Sequence, residues 1–155
     1  MGGAICCLGE GLNTLYRGLG HTLTDAGTLT SATLVALSAV LTALGWYHKL
    51  ATKAGADPEK VYQAIRSGLA GSAVLDAKAP RMLARNFQPG GKLSINMKDI
   101  KNVLATAHQA DVPLPLSAGL YEIMTSLKNM GCLDNDHSGI VKFYERLAGV
   151  EVRPQ

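Results

Sequence analysis

Between Ala26 and Tyr47 the chain carries no charged side chain. A stretch of that length either spans a bilayer or forms a long buried helix, and its interior decides between the two. Thr28, Thr30, Ser31, Thr33, Ser38 and Thr42 interrupt it with hydroxyls. Leu34, Leu37, Leu41 and Leu44 recur at three- and four-residue spacing, which gathers them on one helical face. Thr33, Ser38, Thr42 and Gly45 offer small side chains elsewhere, where a second helix can approach closely. The expectation is a long buried helix of a soluble bundle, with a membrane span the less favoured alternative.

The remainder of the chain is punctuated as helices. Asp57-Pro58-Glu59 is a helix start: Asp57 caps free backbone N–H groups, Pro58 at the first helical position has no N–H to lose, and Glu59 suits the positive end of the dipole. That helix is expected to end near Gly68, and a second to run from about Ser72 to Ala79, stopped or redirected by Pro80. Asn86-Phe87-Gln88-Pro89-Gly90-Gly91 reads as a loop. A longer helix follows, with Leu93, Met97, Ile100, Leu104 and Ala107 on one side, and Val112-Pro113-Leu114-Pro115 breaks it. Another places Leu116, Leu120, Ile123, Leu127 and Met130 inward, and Asp136 caps a last helix burying Ile140, Phe143, Tyr144 and Leu147. Alternating strand patterns and internal repeats are absent. With 47% apolar but only 5% aromatic residues, the composition suits close helix-on-helix packing. The chain is expected to be all-α, a bundle of six or seven helices.

Several function classes receive no support. The net charge of +3 is small and no Lys/Arg run interleaves with aromatics, so no nucleic-acid partner is expected. Cys6, Cys7 and Cys132 form neither a regular disulfide framework nor a C-x-x-C pair. They read as reduced thiols of a cytoplasmic protein. His21, His48, His108 and His137 are too scattered for metal-ligand spacing, so no metal is expected. The start Met1-Gly2-Gly3-Ala4-Ile5-Cys6 lacks the Ser or Thr of a myristoylation signal, and no positively charged segment marks a secretory leader.

Two places could carry chemistry. Lys98-Asp99 lies beside the expected buried face of its helix, so the Lys98 stem could follow protein while its ammonium reaches a groove and an anionic or polar ligand group. An ordinary solvated lysine is the plainer reading. Asp136-His137-Ser138 is explained by a helix cap alone.

The stretch Lys53-Ala54-Gly55-Ala56-Asp57-Pro58-Glu59-Lys60-Val61, continuing through Gly68-Leu69-Ala70-Gly71-Ser72 to Ala79-Pro80, resembles the C-terminal domain of β-hydroxyacid dehydrogenases, and among them the tartronate semialdehyde reductases. Asn86-Phe87, Pro89-Gly90, Lys98-Asp99, Leu114-Pro115-Leu116, Asp136-His137-Ser138 and Tyr144-Glu145-Arg146-Leu147-Ala148 follow in the family's order. The likeness covers roughly residues 50–152.

The resemblance implies a fold like the 6-phosphogluconate dehydrogenase C-terminal domain, with one long N-terminal helix, in residues 26–155, after a poorly matched segment 1–25. It implies NAD(P) for a complete enzyme, with Lys98 beside the cofactor and Phe87 and Asp99 at the substrate cleft. It also implies self-association into a homo-oligomer. The family's proton-transferring lysine falls around Thr28–Ser31, and neither Lys nor Asn occurs between Gly18 and His48. A threonine hydroxyl is far too weak an acid to replace an ammonium. No catalytic residue is therefore expected in this chain. No strand and Gly-rich turn of a Rossmann unit precede residue 50. The expected role is a dimerisation and substrate-cleft domain, with a Rossmann-domain partner possible, tight cofactor binding by the chain alone not expected, and a non-catalytic association module as the alternative.

Overall fold

The computed structural model describes residues 40–47 and 49–153. The expected segment 1–25 and the first part of the charge-free stretch, with Leu34 and Leu37, lie outside them. Residues 40–47 and 49–53 are helical and form α1. Its buried side chains are Leu41 and Leu44, the described half of the expected leucine stripe. Gly45 permits the close approach foreseen for a small residue: a Cβ there would lie 3.2 Å from the Tyr144 ring and 3.4 Å from the Val141 backbone.

Five more α-helices follow: α2 Pro58–Arg66, α3 Ala73–Leu83, α4 Leu93–Gln109, α5 Pro115–Asn129 and α6 Val141–Ala148, the last preceded by a single 3-10 turn, His137–Ile140. No strand occurs among the described residues, only one isolated antiparallel bridge between Lys92 and Asp136. No helix among them is long and apolar enough to cross a membrane. The all-α expectation holds for this region.

The punctuation works as the sequence suggests at two starts. Asp57 accepts from the Glu59 amide at 3.0 Å, with Pro58 at the first position of α2, and Ser72 accepts from the Leu75 amide at 3.1 Å to open α3. Two other helices depart from expectation. α3 runs through Pro80 to Leu83 instead of stopping at Ala79. The proline removes only the bond to the carbonyl four residues back, whereas Leu75, Ala79, Met82 and Leu83 are all buried and hold the helix on both sides of it. α4 buries Leu93, Asn96, Asp99, Ile100, Val103 and Ala107, so its inner face is rotated from the stripe that counting apolar residues proposes, and Met97 and Leu104 stand at its margin.

Two residues expected inward face outward. Leu116 and Leu147 are 83% and 66% exposed. Leu116 occupies the first turn of α5, ahead of the level at which Leu120, Met124 and Leu127 meet the core. On α6, Glu145 takes the inner position instead of Leu147, because Arg85 and the Val152 amide are there to receive its carboxylate.

Core burial governs stability in this arrangement, so position should override hydrophobicity. Met124→Ala or Leu127→Ala should cost about 2–5 kcal/mol, whereas Leu116→Ala and Leu147→Ala should stay within about 0.5 kcal/mol of the parent in urea unfolding.

Candidate functional site

Two loops from distant parts of the chain are zipped together at one end of the bundle. The Phe87 carbonyl accepts from the Asp136 amide at 2.9 Å, and the Gly91 carbonyl from the His137 amide at 3.0 Å. In return the Leu93 and Ser94 amides donate to the carbonyls of Asn135 and Leu133, each at 3.0 Å. These last two bonds explain how α4 begins without a side-chain cap: its first free N–H groups are satisfied by the other loop.

Asp136 is the joint. Its side chain is fully buried and its carboxylate gathers donors from three directions. From α3, Lys78 Nζ donates to both oxygens at 3.0 Å, and Arg81 Nε stands 3.5 Å from Oδ1. From the first loop, the Gly90 and Gly91 amides donate to Oδ2 at 3.1 and 3.4 Å. From its own turn, the Ser138 amide donates to Oδ1 at 3.0 Å. Burial by itself raises a carboxyl, but the Ser138 hydrogen bonds and the Lys78 ammonium outweigh it and hold Asp136 well below its ordinary value near 3.8. The group expected to be a helix cap is therefore a cap and also the charge that closes the loop.

The first loop is held from its other side by Arg85. It follows α3 in a left-handed conformation, φ 52°, in the position where helix ends commonly place glycine. The Arg85 amide bonds Met82 O at 3.1 Å and the Asn86 amide bonds Arg81 O at 2.9 Å, which completes the helix-ending pattern. A non-glycine residue there costs about 1–2 kcal/mol. The Arg85 guanidinium is placed by it to grip Glu145 of α6 through two bonds, at 2.6 and 3.3 Å. Phe87 then lies between cations, with Lys142 Nζ 4.5 Å and the Arg85 guanidinium 5.5 Å from its ring centroid. A cavity of about 370 Å³ opens beside these groups, lined by Arg85, Met130, Lys142, Glu145, Arg146 and Glu151 among others.

The Lys98-Asp99 pair is divided between the two faces of α4. Lys98 is 70% exposed at its side chain, which matches the plainer reading of a solvated lysine and not a stem lying along protein; the rotation of the buried face turns it outward. Asp99 is buried, and its Oδ1 lies 3.9 Å from Lys98 Nζ. Phe87 has Arg85 and Lys142, not Lys98, as its cationic neighbours among the described residues. Sequence reasoning passed over Asn96, which is fully buried on the same face as Asp99. Its spacing of three, four and seven residues from Leu93, Ile100 and Val103 was the available signal, masked by its polarity. Lys78, Arg85 and Glu145 were also passed over, because their partners lie about 60 residues away.

The family model described as NAD-binding of NADP-dependent 3-hydroxyisobutyrate dehydrogenase matches residues 29–144. The chain is 31% identical over 145 residues to 2-hydroxy-3-oxopropionate reductase of Escherichia coli, covering 90% of this chain and 50% of that protein. It is 28% identical over 95 residues to L-threonate dehydrogenase of Cupriavidus necator, covering 61% of this chain and 32% of the relative. The chain thus spans about half the length of the first of these relatives and a third of the second. A crystal structure of 3-hydroxyisobutyrate dehydrogenase from Salmonella typhimurium superposes with a TM-score of 0.70 at 23% identity, covering 74% of this chain and 40% of that one, which shows a shared fold.

Removing one member of a buried ion pair leaves the other uncompensated, so Asp136→Asn should destabilise the protein by about 3–5 kcal/mol at pH 7. Because folding lowers the Asp136 pKa, its contribution is complete above its ordinary value near 3.8 and is lost as pH falls below it. The urea midpoints of parent and variant should therefore begin to approach each other only below about pH 4.

Proposed function

Since this chain belongs to the NAD-binding family of 3-hydroxyisobutyrate dehydrogenases, we propose that it forms the helical half of an NAD(P)-dependent reductase of 2-hydroxy-3-oxopropionate, working against a nucleotide-binding unit. The bound dinucleotide would supply the hydride. The described residues suit one wall of such a cleft and not a complete dinucleotide site: they contain no strand from which a Gly-rich turn could present backbone amides to a pyrophosphate. On this reading the helical half alone holds the cofactor weakly and turns over no substrate.

The observation that carries the assignment is the exposed Lys98 ammonium on α4, at the position where the family resemblance expects a cofactor-side lysine, with Asp99 buried behind it. Lys98 supplies a positive charge to the cofactor, and Asp99 fixes that part of α4. Phe87, held on its rigid loop, contributes an apolar surface to the substrate side. Self-association belongs to the same proposal and is supported by Trp46, Tyr47 and Leu50, which stand exposed on α1.

The test is an NADPH titration by fluorescence on the chain combined with a nucleotide-binding domain of the family, followed by reduction of 2-hydroxy-3-oxopropionate. Loss of one charge-assisted contact is worth about 1.5–3 kcal/mol, so Lys98→Ala should weaken NADPH binding by about tenfold or more. Unchanged binding and turnover in that variant would favour a helical module with only an association role.

A further inference from the structure

His137 is spoken for by neither the cofactor nor the substrate. It stands on the 3-10 turn next to Asp136, only 3% exposed. Its ring packs against the Cα of Gly91: a Cβ there would fall 2.7 Å from Cε1 and 3.0 Å from Nε2 of the imidazole. Neither ring nitrogen makes a hydrogen bond of good geometry among the described residues.

The groups around the ring are charged. From α3 comes the Lys78 ammonium, with the Arg81 guanidinium beyond it on Asp136; from its own turn comes the Asp136 carboxylate. From the start of α4 come the Lys92 backbone and, farther out, the Lys92 ammonium, which is paired with Asp134 at 2.7 Å. Burial lowers the imidazole pKa most, and the Lys78 charge lowers it further; Asp136 and the Lys92 backbone oppose this without reversing it.

We propose that His137 is a pH-sensitive latch on the Phe87–Gly91 loop: the neutral ring packs beneath Gly91 and keeps the loop closed, and the protonated ring drives it open. An imidazolium carries two N–H donors and must find acceptors. Apart from the Lys92 carbonyl, the charged acceptor in its surroundings is Asp136, whose oxygens already receive Lys78 and the Gly90, Gly91 and Ser138 amides. Turning toward Asp136 displaces the two glycine amides, and turning toward solvent lifts the Gly91 peptide off the ring. Both routes release the same loop. The latch is a property of the loop itself and stands whether or not the loop serves a reductase.

The sign follows from proton binding. The open form, with an ordinary imidazole near 6.5, binds a proton more readily than the closed form. The closed loop is therefore fully favoured above that pH and loses ground as pH falls below it, by up to about tenfold in the opening equilibrium per pH unit. Asp136, held far lower, does not titrate in this window.

Amide hydrogen exchange by NMR on the full chain at pH 7.5, 6.5 and 5.5, corrected for intrinsic rates, tests this. Gly90 and Gly91 should lose protection between the two lower values by up to about tenfold, while amides in the middle of α4 such as Val103 keep theirs. In His137→Phe the pH dependence should vanish. Protection of Gly90 and Gly91 that is independent of pH, or falls equally in the variant, would overturn the proposal. If the variant does not fold, the imidazole resonances of the parent decide: His137 should titrate below 6.5, and titration at or above that value would overturn it.

Discussion

A buried carboxylate bonded to a buried ammonium holds this end of the molecule together. Asp136 and Lys78 are 58 residues apart in sequence and meet at 3.0 Å. Neither could remain charged inside the bundle alone, since an ion taken out of water without a partner costs several kcal/mol. Their pairing therefore fixes the position of α3 relative to the turn before α6. The same carboxylate then has capacity left for the Gly90 and Gly91 amides, and the loop between α3 and α4 settles on it. The start of α4 follows, because its first amides find the carbonyls of Asn135 and Leu133 only when the two loops lie side by side.

Arg85 and Glu145 form the second clamp on the same loop. Together the two clamps leave Phe87 little freedom. The left-handed backbone at Arg85 is local strain sustained by a contact 60 residues away. Strain of this kind persists only where surrounding structure over-determines it. Lys98 lies outside both clamps, on the solvent side of α4.

Local chemistry was readable from the sequence wherever a helix announces its own ends. Asp57, Pro58, Ser72 and Pro115 act through neighbours within three residues, and the stripe of Leu41 and Leu44 depends on period alone. What was not readable is long-range and polar. Counting apolar residues rotated the inner face of α4 because Asn96 and Asp99 lie on it, and it turned Leu147 inward because nothing near Glu145 in sequence announces Arg85. Pro80 looked like a stop because its cost is local, while the burial that outweighs it comes from the rest of the fold. Asp136 was recognised as a cap, but a cap and a buried ion-pair partner look alike until Lys78 is placed beside it.

The most direct measurement is a double-mutant cycle on the stability of Lys78→Met and Asp136→Leu, read by urea unfolding at pH 7. If the pair organises the two loops, each single variant strands the charge of its partner, whereas the double variant strands neither Lys78 nor Asp136. The double variant should then be more stable than the sum of the single losses by about 2–3 kcal/mol, the range of strongly coupled neighbours. Additive losses within about 0.5 kcal/mol would mean that the two side chains act independently and would contradict the account.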